Sequence, residues 1–166
     1  EKLLLGDHAF FLNIGGIANI SFNKEENYLA FDVCPANRVL NMLATDAGKV
    51  FDEDGQIAAS GTVNQELLNQ LNAFEYYHQP SPKSLANDFG VKEIYPLIKK
   101  NRCSIPDAMC TMTEHISFQI KKSVEELIAK YQQRYPYLVG KNAKDKYTKY
   151  ADYLRRFNKL CEVIRN

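Results

Sequence analysis

The first third of the chain alternates short apolar runs with residues that favour turns. Two runs rich in β-forming residues, Phe10–Leu12 and Ile17–Phe22, flank Asn13-Ile14-Gly15-Gly16, and a polar turn separates the second run from a third at Tyr28–Phe31. Glycine adopts positive φ without steric cost, which lets the backbone double back at such a turn. The pattern predicts a three-stranded antiparallel meander with Asp32 at the end of its last strand.

After Asp32 the apolar residues recur at helical spacing. They share one face of a predicted helix: Val39, Leu40, Leu43 and Ala47. Pro35 suits a first helical turn and Gly48 suits a C-terminal stop, so the helix is predicted from Pro35 to Gly48. Asp32 would then lie just before a helix N-terminus.

The middle of the chain is predicted to be mainly helical. In chain order we expect a turn at Phe51–Gly55, a short helix at Gln56–Gly61, a helix capped by Thr62 or Asn64 that carries Val63, Leu67, Leu68, Leu71 and Phe74, an extended loop at His78–Lys83, and a short helix within Ile94–Lys100. Two prolines in six residues disfavour regular structure in that loop.

The longest helical pattern begins at Ser104-Ile105-Pro106-Asp107, which has the form of a capping box. Apolar residues continue at helical spacing as far as Pro136: Met109, Met112, Ile116, Ile120, Val124, Leu127 and Tyr131. We expect this helix to be the main packing element and Tyr137–Val139 to be a candidate final strand. The predicted fold class is therefore α/β, a three-stranded antiparallel meander packed by helices.

Composition narrows the class of protein. The chain has 166 residues, 45% of them hydrophobic, and its 21 Lys and Arg nearly balance 20 Asp and Glu. This is one domain or one lobe of a larger protein, with no chain-wide surface for nucleic acid. No apolar run approaches the roughly 20 residues of a membrane span, and the first residues lack a secretory signal and an initiator Met. We expect a cytoplasmic protein that has lost an upstream part.

Cysteine and histidine offer no metal site in the sequence. The four cysteines form no C-x-x-C pair, which fits a reducing compartment, and His8, His78 and His115 share no metal spacing. Cys34 has no neighbouring His or Lys and is interpreted as a packing residue. His115 is interpreted as a partly buried structural residue of the long helix.

The chain divides near Gly140 by charge. Residues 141–166 hold eight Lys or Arg and three acids, a net charge of +5, with Tyr147, Tyr150, Leu154, Phe157, Cys161 and Ile164 at steps of three and four. This predicts a basic amphipathic helical tail after a domain at residues 1–140. Packing of the tail on its own lobe is the common outcome, and binding to nucleic acid or a membrane is the alternative.

Four segments together carry a family resemblance. They are Leu12–Ser21 (Leu-Asn-Ile-Gly-Gly-Ile-Ala-Asn-Ile-Ser), Phe31-Asp32 followed by Pro35 and Asn37, Asp54–Gly61 (Asp-Gly-Gln-Ile-Ala-Ala-Ser-Gly), and Pro82-Lys83-Ser84. In this order and spacing, over about Phe10 to Val139, they resemble the anhydro-N-acetylmuramic acid kinases. The resemblance implies one lobe, the carboxy-terminal one, of an actin-like ATPase (ribonuclease H-like) fold.

The resemblance also implies a reaction and its residues. ATP, with Mg²⁺, would phosphorylate O6 of anhydro-N-acetylmuramic acid while water opens the 1,6-anhydro bridge, in cell-wall recycling. Asp32 matches the general base that activates this water, and Asn13, Gly15 and Gly16 match the turn around the nucleotide phosphates. Pro35, Asn37 and Lys83 match the substrate side. Each has a plainer interpretation: Asp32 as a helix cap, the glycines as a hairpin turn and Lys83 as a solvated cation.

The chain also departs from the family pattern. Where the family commonly has Asp-Thr-Gly-Pro-Gly-Asn, this chain has Asp32-Val33-Cys34-Pro35-Ala36-Asn37, and Gly140-Lys141-Asn142-Ala143 replaces a Gly-Gly-Gly segment that holds adenosine. Two alternatives therefore stay open: a non-catalytic remnant that folds or associates with itself, and a kinase of the same fold that acts on another sugar or acid. A lobe without its partner would expose apolar surface, so we expect self-association.

Overall fold

Three strands and five helices make up the described part of the chain, residues 10–24 and 27–134 of a computed structural model. The strands are β1 Phe10–Ile14, β2 Ile17–Lys24 and β3 Asn27–Pro35. The helices are α1 Asn37–Asp46, α2 Gln56–Ala59, α3 Gln65–Asn72, α4 Tyr95–Asn101 and α5 Ile105–Arg134. Short 3₁₀ turns lie at Glu53–Gly55 and Glu75–His78, and a π-helical turn at Gly90–Ile94 leads into α4.

The sheet is the predicted antiparallel meander, in the order β1-β2-β3. Phe10 pairs with Phe22 across the first hairpin and Ile20 pairs with Phe31 across the second. Alternate side chains of β2, namely Ala18, Ile20 and Phe22, are buried under the helices. This confirms the predicted fold class, α/β with helices on a three-stranded antiparallel sheet.

The long helix α5 is the main packing element, as expected. Ser104 caps its start, since the Ser104 Oγ accepts from the Asp107 N–H at 3.2 Å and donates to the Asp107 carboxylate at 2.7 Å. The predicted core face is buried continuously from Met109 to Leu127: Met109, Met112, Ile116, Ile120, Val124 and Leu127. The tail after Gly140 and the candidate strand Tyr137–Val139 lie outside the described residues.

The short helix α2 is joined to α5 by close backbone contact. A Cβ on Gly61 would lie 2.1 Å from the Pro106 carbonyl oxygen, so a side chain cannot be accommodated there. The Asp107 carboxylate also accepts from the Thr62 N–H at 2.7 Å. Glycine at position 61 is therefore required by packing.

Two predicted helix boundaries are wrong in detail. The first helix begins at Asn37 and not at Pro35, because β3 continues to Pro35, which pairs with Ile17. Asp32 consequently lies inside β3 and not just before a helix N-terminus. The helix capped by Asn64, whose Oδ1 accepts from Leu67 N–H at 3.0 Å, spans only Gln65–Asn72 and leaves Val63 and Phe74 outside.

Candidate active site

Asp32 lies in β3 beside a β-bulge. It pairs with Asn19 of β2, whereas Cys34 pairs with Ala18, so Val33 is an extra residue between two ladder positions. A bulge of this kind changes the direction of the side chains next to it. Val33 is buried in the core at 1% exposure, and Asp32 is only half-buried. Ordinary alternation along β3 thus places Asp32 nearer the surface than its buried neighbour Val33, and the bulge lets Cys34 be buried next to Val33.

The Asp32 carboxylate is held through one of its two oxygens. The Leu85 N–H donates to Oδ2 at 2.9 Å and the Ser84 Oγ donates to the same oxygen at 3.2 Å. The backbone of Asp32 is held as well, because its N–H donates to the Lys83 carbonyl at 3.1 Å. Within residues 10–24 and 27–134, Oδ1 receives no hydrogen bond, which leaves this oxygen available as a proton acceptor.

Tyr76 completes the support of Asp32. Its hydroxyl donates to the Asp32 carbonyl at 2.7 Å, and its side chain is 8% exposed. Burial first, and then the negative charge of Asp32, raise the pKa of Tyr76, so the hydroxyl stays a donor at any physiological pH. Sequence reasoning missed Tyr76 because it lies 44 residues from Asp32 and belongs to no recognisable motif.

The predicted substrate residue Lys83 has its ammonium group against its own chain. Nζ donates to the Tyr76 carbonyl at 2.9 Å and lies 4.7 Å from the centroid of the Tyr76 ring. Desolvation by burial lowers the pKa of the Lys83 ammonium group from its ordinary range. The structure therefore shows Lys83 as a support of the loop that holds Asp32.

The glycine turn is fixed through its carbonyl oxygens. Ala36 N–H donates to the Gly16 carbonyl at 2.9 Å and Asn37 N–H donates to the Gly15 carbonyl at 3.0 Å. The Asn37 side-chain amide donates to the Ile14 carbonyl at 3.1 Å. In the described part of the chain neither glycine N–H has an acceptor, so both are available to an external anion.

The expected positive φ at the turn is wrong. The glycines with positive φ are Gly48 and Gly55, and neither Gly15 nor Gly16 is among them. A Cβ on Gly15 would meet nothing nearer than 3.6 Å, and one on Gly16 nothing nearer than 3.7 Å. The turn itself therefore does not require glycine, and close approach of a ligand to the backbone remains as a physical reason for it.

The residues that depart from the family pattern point into the core. Val33, Cys34 and Ala36 are exposed by 1%, 0% and 0%, so their extra atoms do not obstruct the surface beside Asp32. Burial raises the pKa of the Cys34 thiol, which agrees with its interpretation as a packing residue. Pro35 is also buried, packed near Gly90, whereas Asn37 and Asn13 are exposed at the surface.

A cavity of about 520 Å³ lies beside the glycine turn. Its apolar lining comes from Ile14, Leu40, Phe51, Met109 and Ile116, with polar groups from Asn37, Asn41, Asp52 and Thr113. Both Asp52 carboxylate oxygens already accept from backbone N–H groups, of Ile57 at 2.8 Å and Ala58 at 3.0 Å. The walls come from a strand, a turn and helices that lie far apart in sequence, which is why no sequence pattern indicated the cavity.

The described residues contain neither a cluster of metal-ligating side chains nor a helix suited to cross a membrane. No three His, Cys, Asp or Glu side chains among them lie close enough together to hold a metal ion. None of the helices in residues 10–24 and 27–134 combines the length and the apolar character needed to cross a membrane.

The fold and the family comparison together define the class first. The chain, a three-stranded antiparallel meander packed by helices, belongs to the actin-like ATPase superfamily. More narrowly, the family model for anhydro-N-acetylmuramic acid kinase matches residues 5–142, and the chain belongs to this family.

Individual relatives agree with the family match. Proteins named anhydro-N-acetylmuramic acid kinase from Idiomarina loihiensis and Aliivibrio fischeri are 32% and 33% identical over 120 residues, covering 70% of this chain and 32% of each relative. One from Coxiella burnetii is 38% identical over 96 residues, covering 54% of this chain and 26% of the relative. The chain thus spans about a third of the length of the curated relatives it matches.

Proposed function

We propose that this chain forms the acid–base half of a sugar kinase that acts on anhydro-N-acetylmuramic acid with ATP. The product would be N-acetylmuramic acid 6-phosphate, formed in the cytoplasm during peptidoglycan recycling. The observation that carries the proposal is the Asp32 carboxylate, whose Oδ2 is bound by Ser84 and Leu85 while Oδ1 accepts no hydrogen bond from the described residues. Membership of the kinase family supports it independently.

The geometry suits Asp32 to the role of general base. Oδ1 would take a proton from water, and the water oxygen would form a bond to the anomeric carbon of the sugar. The bond from that carbon to O6 would break, and O6 would attack the γ-phosphorus of ATP, releasing ADP. A general base must lie within hydrogen-bond reach of the proton it removes. A carboxylate that is held through its other oxygen would meet this requirement where the bound sugar brings its water beside Oδ1.

The nucleotide would lie on the other side of the site, at the glycine turn. Asn13, Gly15 and Gly16 are the proposed phosphate contacts, since two N–H groups without an acceptor among the described residues and no side chains suit phosphate oxygens. Mg²⁺ would enter with ATP as part of the substrate. The neighbouring cavity would take the uncharged part of the nucleotide, since its lining is largely apolar.

On the sugar side Asn37 and Lys83 are the proposed contacts, with Pro35 supporting them from the core. Asn37 is exposed, and its side-chain amide donates one N–H to the Ile14 carbonyl, while its side-chain oxygen receives no hydrogen bond from the described residues. Lys83 uses one N–H for the Tyr76 carbonyl, so the other two remain for a sugar oxygen or carboxylate. Residues 1–140 would form this lobe and residues 141–166 a separate basic tail.

Calorimetric titration of the chain with MgATP and, separately, with anhydro-N-acetylmuramic acid tests the proposal. Turnover is followed by ADP release, with Asp32→Asn as the variant and Asp88→Asn as the matched control, because Asp88 is an exposed carboxylate paired with Lys92. Binding of the sugar and turnover that only Asp32→Asn abolishes would support the proposal. A folded chain that binds neither ligand would contradict it. Gel filtration of the same sample tests the expected self-association.

A further inference from the structure

The segment Tyr76–Leu85 provides the described hydrogen bonds to Asp32 other than those of the β-ladder. The Asp32 carboxylate accepts from Ser84 and Leu85. The backbone of Asp32 accepts from Tyr76 and donates to Lys83. We propose that Ser84 is a positioning residue, which keeps Oδ2 of Asp32 engaged so that Oδ1 faces the reacting water. This inference rests on the proposed function of Asp32.

Two donors on one oxygen restrict the carboxylate more than one donor would. A single hydrogen bond from Leu85 N–H, at 2.9 Å, lets the carboxylate turn about it. The Ser84 hydroxyl, 3.2 Å from the same oxygen, adds a second bond, so a change in the χ1 rotamer of Asp32, which moves the whole carboxylate, has to break two hydrogen bonds instead of one. Hydrogen bonds to an ionised acceptor are stronger than neutral ones, which favours this one orientation.

The segment that carries Ser84 is itself tied to α5. Lys122 Nζ donates to the Tyr77 carbonyl at 2.9 Å, and Lys130 Nζ donates to the Ser81 Oγ at 2.8 Å. At its end, Leu85 is 6% exposed and packs in the core. The Ser84 hydroxyl is thus presented to Asp32 by a backbone that is fixed on both sides of it.

The hydroxyl of Ser84 contributes little to the stability of the fold. Its side chain is exposed, and Asp32 is its hydrogen-bond partner. Removing an exposed hydroxyl normally changes the free energy of unfolding by no more than about 0.5 kcal/mol. A loss of turnover on its removal would therefore reflect the orientation of Asp32 and not the stability of the lobe.

The test compares Ser84→Ala and Ser84→Thr with Ser60→Ala as the matched control. Ser60 is also exposed, and its Oγ donates at 2.8 Å to the Ile57 carbonyl, away from Asp32. We expect Ser84→Ala to lower kcat roughly tenfold with KM unchanged, since only the transition state needs the oriented base. Ser84→Thr keeps the hydroxyl and should restore most of kcat. Equal kcat in Ser84→Ala and Ser60→Ala would overturn the proposal.

A second measurement separates this proposal from the proposed function. The χ1 rotamer of Asp32 is determined by NMR coupling constants in the unmodified chain and in both Ser84 variants. A single rotamer in the unmodified chain and in Ser84→Thr, with averaging in Ser84→Ala, supports positioning even where the chain shows no turnover. Averaging in the unmodified chain, or one unchanged rotamer in Ser84→Ala, would refute positioning whatever the activity.

Discussion

The two sides of the candidate site differ in how far the chain itself determines them. On one side, Asp32 receives hydrogen bonds from Ser84 and Leu85 and is supported at its backbone by Tyr76. On the other side, the turn at Gly15 and Gly16 is held by its carbonyl oxygens, while its N–H groups have no acceptor among the described residues. The side proposed for acid–base chemistry is therefore preorganised by the chain, whereas the side proposed for the nucleotide would be completed by its ligand.

This difference explains which departures from the family pattern the lobe tolerates. Val33, Cys34 and Ala36 differ from the common family residues and are all buried beneath Asp32. Their side chains take part in packing, so they alter the core and leave the carboxylate accessible. A side chain at Gly15 or Gly16 would instead stand beside two N–H groups that have no acceptor among the described residues. The first kind of change should affect stability, and the second kind should affect binding.

The largest expected effect comes from removing the base. Asp32→Asn keeps the shape of the side chain but cannot take a proton, so kcat should fall by about 10²–10⁴-fold, the usual contribution of a general base. Affinity for MgATP should stay within about twofold, because the glycine turn does not contact the Asp32 side chain. Steady-state kinetics and calorimetry measure the two quantities. Parallel loss of both would show that the two sides are not separable.

The next effect contrasts two glycines. Gly61→Ala would place Cβ 2.1 Å from the Pro106 carbonyl oxygen and force α2 away from α5, so we expect the free energy of unfolding to fall by about 3 kcal/mol. Gly15→Ala meets nothing closer than 3.6 Å and should leave stability unchanged within about 0.5 kcal/mol, while weakening MgATP binding. Urea unfolding and calorimetry on both variants decide this.

One result would contradict the expected difference between Gly15→Ala and Gly61→Ala. If Gly15→Ala destabilised the lobe as much as Gly61→Ala, the turn would be required by the fold. The absence of side chains at Gly15 and Gly16 would then say nothing about a ligand.

Much of the fold followed from periodicity, because local pattern and final packing agree there. The α5 core face and its Ser104 cap are examples, since the helical spacing from Met109 to Leu127 gives one continuous apolar face, which packs against the sheet and the neighbouring helices. The start of α1 could not be predicted from periodicity. Pro35 has the local signature of a first helical turn, but Ala36 and Asn37 donate to Gly16 and Gly15 instead, which extends the strand. Such tertiary bonds leave no local signal.

The site was only half predictable for the same reason. Asp32 and the glycine turn lie in one continuous segment whose residues resemble a family motif. The donors that orient Asp32 come from positions 52 and 53 residues away, in a loop that sequence showed only as irregular and rich in proline. Ser84 was part of the resemblance, but its role appears only once the loop lies along the outer edge of β3.

A smaller effect on stability should appear in acid, through a buried histidine beside the loop that supports Asp32. His115 is fully buried, with Nδ1 2.8 Å from Asn72 Oδ1 and Nε2 3.0 Å from the Tyr77 hydroxyl. Asn72 Oδ1 also accepts from Gln119, so Nδ1 carries the proton and Nε2 accepts from Tyr77. The neutral imidazole therefore anchors the start of the loop that supports Asp32.

Burial lowers the pKa of His115 from 6.5 to about 3. The unfolded chain binds a proton near pH 6.5 and the folded chain does not, so stability is full above pH 6.5 and falls as pH drops towards 3. The expected slope from this group is at most about 1.4 kcal/mol per pH unit. Urea unfolding between pH 7.5 and 5.5 should show it, and His115→Gln should lack it. An equal slope in His115→Gln would assign the effect to other groups.

The smallest effect comes from the hydroxyl that supports the backbone of Asp32. Tyr76→Phe removes the 2.7 Å bond to the Asp32 carbonyl and leaves the ring and its contact with Lys83 in place. One net hydrogen bond is worth about 1 kcal/mol, so the free energy of unfolding should fall by about that amount. Turnover should decrease less than in Ser84→Ala, because Ser84 and Leu85 still hold the carboxylate. If Tyr76→Phe instead reduced turnover more than Ser84→Ala, orientation of Asp32 would depend on the position of its backbone more than on the bonds to Oδ2.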